Sequence, residues 1–73
     1  MDDNIGTEWE HVKSRTTYAI VGECQLEATN EPAYLYHLAY WKVLEPRLVW
    51  ARSKREFLDG RFKKLNVQGD KND

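Results

Sequence analysis

Leu48–Phe62 reads LVWARSKREFLDGRF, and the way this stretch divides decides the fold. Leu48-Val49-Trp50-Ala51-Arg52 has the apolar, β-favouring composition of a strand that ends on a charge. Ser53-Lys54-Arg55-Glu56 has the spacing of a capping box. The Ser53 hydroxyl can accept from the Glu56 amide, and the Glu56 carboxylate can reach back to the Ser53 amide. Phe57 and Leu58 are expected to supply the inward face of one helical turn. Gly60 stands where that turn must stop, because glycine enters the left-handed region without steric cost. Arg61-Phe62 restart an extended segment. Strand, capped turn and strand in so few residues make a tight corner around which the other strands must pack.

Working outward, Glu8 to Lys13 reads as a first strand with Trp9 on one face. Thr17-Tyr18-Ala19-Ile20-Val21 is the clearest strand, and it can continue through Cys24 and Leu26. Gly22 inside it signals a bulge or bend. Thr29-Asn30-Glu31-Pro32 is a loop, since Pro32 cannot donate to a central ladder. Ala33 to Trp41 reads as an aromatic-rich strand, with a helix as the competing period. Lys42 to Pro46 is a connector, and Phe62 to Leu65 a last strand. Residues 1–6 and 66–73 are polar and read as disordered ends, leaving 7–65 as one all-β, five-stranded domain with one short helical turn.

The chain has 73 residues and a single cysteine, Cys24, so no internal disulfide can staple it. A chain of this size buries only about 60% of its unfolded surface. Three tryptophans, four tyrosines and two phenylalanines must therefore carry much of the burial. The start, Met1-Asp2-Asp3-Asn4, has no basic or apolar region of a signal peptide, and no apolar run approaches a membrane span. The expected setting is the cytoplasm.

Chemistry is hard to find. Cys24, His11 and His37 lack zinc-ligand spacing, and no nucleophile elbow, phosphate loop or H-E-x-x-H occurs. The expectation is a protein without catalysis, metal or cofactor. The net charge is −1, yet residues 47–64 carry seven bases against Glu56 and Asp59, while residues 1–10 carry only acids. Such asymmetry invites a charged partner.

Four segments taken together resemble a known family: Trp9-x-His11-x-Lys13, Tyr18-x-Ile20-x-Gly22, Tyr34-Leu35-Tyr36-His37-x-x-Tyr40, and Val49-Trp50-Ala51-Arg52-x-x-x-x-Phe57. The family comprises small bacterial and phage domains of unknown function that adopt an SH3-like barrel. The resemblance spans Trp9 to Leu65 and implies that fold. Two departures stand out. Ser53 replaces the family's proline, and the connector from Trp41 to Leu48 is longer, holding Val43, Leu44 and Pro46. Length, acidic start and lone cysteine are also similar to those of small transcription regulators of lytic phages. That likeness implies a monomeric module that binds host bacterial RNA polymerase, displaces σ factor and acts in antitermination.

On this reading Trp9, Trp41, Val43 and Leu44 are apolar anchors, and Arg47, Arg52, Lys54 and Arg55 form a charged rim. Alanine at an anchor would weaken binding and leave the fold intact. The competing reading is nucleic-acid binding, with Trp50, Tyr36 and Tyr40 stacking on bases beside Arg52 and the Arg61-Phe62-Lys63-Lys64 strand. Against it stands the net charge, which points to weak or indirect contact with nucleic acid. A third possibility is that Tyr18, Ile20, Tyr36, Trp50 and Phe57 are simply core, and Trp50 is assigned there.

Overall fold

A computed structural model describes residues 2–40 and 48–65. Five strands form one antiparallel sheet: β1 (Glu8–His11), β2 (Thr16–Gln25), β3 (Pro32–Leu38), β4 (Trp50–Ser53) and β5 (Phe62–Lys64). Their spatial order is β4-β3-β2-β1-β5. The edges, β4 and β5, do not pair with each other, so the sheet is not closed. Between them run a three-residue helix, α1 (Lys54–Glu56), and a wider turn, Phe57–Arg61.

The corner forms much as its residues dictate. Ser53 caps α1 by accepting from the Glu56 amide at 3.1 Å. The Glu56 carboxylate turns to Arg61 at 3.6 Å and Arg52 at 3.9 Å instead of closing the box. Gly60 takes φ 113°, the left-handed region that favours glycine. Leu58 is a correction: the turn widens after Phe57, so a helical period no longer brings Leu58 inward, and it is half exposed. Removing the cap with Ser53→Ala is expected to cost about 0.5–2 kcal/mol. Urea titration of the variant checks this, with Ser53→Thr retaining most of the stability.

In β2 the register with β3 slips between Ile20 and Gly22, leaving Val21 without a partner on β3. This is the bulge expected at Gly22, and it turns the exposed second half of β2 away from the core. Pro32 opens β3 opposite Gln25 and is not loop, as the first residue of a strand tolerates a missing donor. The preceding turn closes through Asn30, which adopts φ 65° and whose side-chain oxygen accepts from Gln25 Nε2 at 2.6 Å. β3 ends at Leu38, short of the Trp41 expected, and it is a strand throughout.

The core is aromatic. Trp9, Ile20, Tyr34, Tyr36, Phe57 and Phe62 pack together, with Ile5 and Tyr18 against them. Phe57 lies at the centre. It stacks on Phe62 at 4.0 Å between ring centroids and takes edge contacts from Trp9, Tyr34 and Tyr36 at 5.2–5.4 Å. Such contacts add to area burial by about 0.5–1.5 kcal/mol each.

Residues 2–6, read as disordered from their polarity, are instead tied to the sheet. The Gly6 amide donates to the Ile20 carbonyl at 2.8 Å. The Tyr34 hydroxyl donates to Asp2 Oδ2 at 2.7 Å, and Lys54 Nζ reaches the same oxygen at 2.9 Å. Lys54 also holds Glu23 at 2.6 Å. The hydrogen bond from Tyr34 is the main cause that lowers the Asp2 carboxyl from 3.8 to about 2, helped by the Asn4 amide and Lys54. Because the folded value lies below the unfolded one, Asp2 stabilises the fold above pH 3.8 and ceases to do so as pH falls through 2. Melting curves should therefore place Asp2→Asn below the parent at neutral pH, with the gap closing toward pH 2.

Candidate binding surface

β4 is an edge strand. It pairs with β3 through Tyr36↔Trp50, Leu35↔Ala51, Tyr34↔Arg52 and Ala33↔Ser53. Among the described residues no strand covers its other edge. Alternate residues of an edge strand turn their amides and carbonyls outward, ready to pair with another chain. The approach to this edge is apolar and exposed: Leu48 is 62% exposed, Val49 52% and Trp50 38%. Trp50, assigned to the core from the sequence, is thus a surface residue. Its ring leans on Tyr18 at 5.7 Å and Tyr36 at 6.1 Å, so one side is packed and the other open.

Two hollows flank β4. One, of about 380 Å³, runs along Trp50–Ser53 and is bounded by Leu26, Glu31, Arg55 and Glu56. The other, of about 320 Å³, lies toward β1, with Tyr18, Tyr36, Trp50 and Phe62 as its aromatic lining and His11, Ser14 and Arg52 at its mouth. Arg52 belongs to both. Its Nε donates to the Tyr36 hydroxyl at 3.2 Å, and its guanidinium lies 5.5 Å from the Phe62 ring centroid. The Tyr36 hydrogen bond is also what raises its pKa most.

The anchors and rim expected from the sequence are only partly assembled here. Trp9 is a correction. It is 7% exposed, its indole N–H donates to Thr7 Oγ1 at 2.8 Å, and its ring packs edge-on to Phe57. β1 lies between β2 and β5, and the face that carries Trp9 is covered by the aromatic core. Trp41, Val43, Leu44 and Arg47 lie outside the described residues. Lys54 is occupied in holding Asp2 and Glu23, which raise its pKa, the Glu23 contact more. Arg55 is exposed and pairs with Glu31 at 3.0 Å, the contact that raises its pKa. Only Arg52 and Arg55 therefore border the edge as a rim would.

Sequence reading missed Leu48 and Val49 as surface groups, since an apolar run preceding a strand looks like core. The signal that separates the cases is strand order, which places β4 at an edge. Tyr40 is exposed, and its hydroxyl donates to Glu8 at 3.3 Å.

His11 Nδ1 and Ser14 Oγ lie 2.8 Å apart in an exposed turn. Ser14 also donates to Thr16 Oγ1 at 3.0 Å. Cys24 is exposed on β2. No helix among the described residues is long and apolar enough to cross a membrane. Compared with known proteins, the chain matches no family model, no curated protein and no solved structure.

Proposed function

We propose that this chain is a non-enzymatic protein-binding module, an SH3-like barrel left open between β4 and β5, which docks a partner along the β4 edge. The observation that carries this reading is the exposed run Leu48-Val49-Trp50 leading into a strand whose outer edge is unpaired among the described residues. Backbone pairing would supply affinity, and the apolar side chains on either side would supply selectivity. Arg52 and Arg55 then act at the rim, steering association more than strengthening it. The partner rests on the resemblance to phage transcription regulators: host RNA polymerase, in the bacterial cytoplasm, at a surface that σ factor also uses, with antitermination as a second outcome.

The test is a titration of the ¹⁵N-labelled chain with RNA polymerase core, repeated with σ factor as competitor. Saturable shifts at Leu48, Val49 and the β4 amides, reversed by σ factor, are expected. The double variant Leu48→Ser, Val49→Ser should lose about 1–3 kcal/mol of binding with an unchanged melting temperature, because neither side chain belongs to the core. No saturable shift with polymerase would remove that partner. Shifts confined to other strands would remove the β4 site.

A further inference from the structure

The aromatic hollow beside β4 does not end at its mouth. A second depression, lined by His11, Val12, Lys13, Arg52, Gly60 and Arg61, shares His11 and Arg52 with it. The two form one surface with an aromatic part and a cationic part. No carboxylate lines either of them. Lys13 is exposed and makes no ion pair among the described residues. Arg61 is exposed and is drawn to Asp59 at 3.1 Å and Glu56 at 3.6 Å, which lie outside this lining. Beyond its bond to Tyr36, Arg52 has no carboxylate closer than Glu56 at 3.9 Å.

We propose that this composite surface binds single-stranded nucleic acid, one base stacking on the open side of Trp50 while the adjoining phosphates meet Arg52, Arg61 and Lys13. The rings meet the first requirement. Trp50 is exposed and is braced from behind by its edge contact with Tyr18 at 5.7 Å, so its open side is a fixed aromatic platform. A planar base stacks on such a face whatever its identity. The cationic rim meets the second requirement, since successive phosphates lie on one side of a stacked base. An acidic peptide would satisfy the rim and leave the rings uncovered; a proline-rich one would cover the rings and leave the cations unused. A duplex keeps its bases stacked on each other and cannot enter. Glu56 and Asp59 partly offset the arginines, so binding is modest and falls with salt, with a slope of about −0.7 per phosphate engaged. This site shares Trp50 and Arg52 with the protein-docking reading but does not use Leu48 or Val49, so the Leu48→Ser, Val49→Ser variant separates the two.

The experiment is fluorescence anisotropy of labelled oligouridylate and oligodeoxyuridylate octamers with the full chain, beside a duplex of equal length and a polyglutamate of equal charge. Saturable binding of either single strand, with the duplex and polyglutamate at least tenfold weaker, is the expected result. Preference for oligouridylate over oligodeoxyuridylate, which carries the same base, would identify RNA as the ligand, and equal binding of those two would mean that the sugar is not read. Trp50→Ala should weaken binding about tenfold or more, and Trp50→Phe should restore most of it. Lys13→Gln with Arg61→Gln, both exposed and outside the core, should flatten the salt dependence without altering the melting temperature. No binding of either strand, equal binding of polyglutamate, or an affinity indifferent to both sets of variants would overturn the proposal.

Discussion

Phe57→Ala is expected to remove a large share of the stability of this domain. Phe57 is fully buried and touches four other rings of the core, stacked on one and edge-on to three. Phenylalanine-to-alanine changes at such sites cost about 3–5 kcal/mol, the lost transfer energy plus the cavity left behind. A domain of this length has only about 4–11 kcal/mol in total, at 0.05–0.15 kcal/mol per residue. Surrounding rings are large and rigid, so they cannot collapse into the void. Urea denaturation followed by near-ultraviolet circular dichroism gives the number. Phe57→Leu, which keeps most of the volume, should retain a cooperative transition. A loss below about 1 kcal/mol in Phe57→Ala would mean that the core is not organised around this ring.

Trp9→Ala is the second large effect, and it reverses what the sequence alone implies. As an exposed anchor, Trp9 would be dispensable for folding. Buried between β2 and β5, with its indole N–H satisfied by Thr7, it should instead cost about 3–5 kcal/mol when truncated. Denaturation of the variant separates the readings cleanly, because an anchor leaves the transition in place and a core residue displaces it. Trp9→Phe adds a finer readout: it keeps an aromatic ring beside Phe57 but loses the hydrogen bond to Thr7 and part of the buried volume, so its loss should lie between zero and that of Trp9→Ala.

The two tryptophans show what can and cannot be read from the chain. Trp9 and Trp50 both sit in short strands beside charged residues, and alternation assigns each to a face without saying what covers that face. Strand order decides: β1 is central and β4 is an edge. That order depends on β1 pairing with β5, through Trp9↔Lys64, Glu10↔Lys63 and His11↔Phe62, a contact between distant parts of the chain that leaves no local mark. Features with local causes were legible. The Ser53 cap, the stop at Gly60 and the bulge beside Gly22 each follow from the steric or hydrogen-bonding character of one or two residues. The N-terminal arm was not legible for the opposite reason. Asp2 and Asn4 are polar, and polarity reads as disorder unless the partner is known, here the Tyr34 hydroxyl. Among the site residues, Arg52 lies in the edge strand and Arg55 in the helix that follows it, whereas Lys54 is taken up in fastening that arm.

The pairing of β1 with β5 also sets the order in which this protein can be made. Phe57 and Phe62 complete the aromatic cluster, yet they follow Trp9, Ile20, Tyr34 and Tyr36 in the chain. A nascent chain leaving the ribosome can form the β2–β3 hairpin early, but its rings have no centre to close on until Phe62 emerges. Contacts of such long sequence separation slow folding relative to helical domains of the same size. The hairpin therefore waits with Tyr34 and Tyr36 uncovered, and the domain gains its stability only once Phe62 has been added.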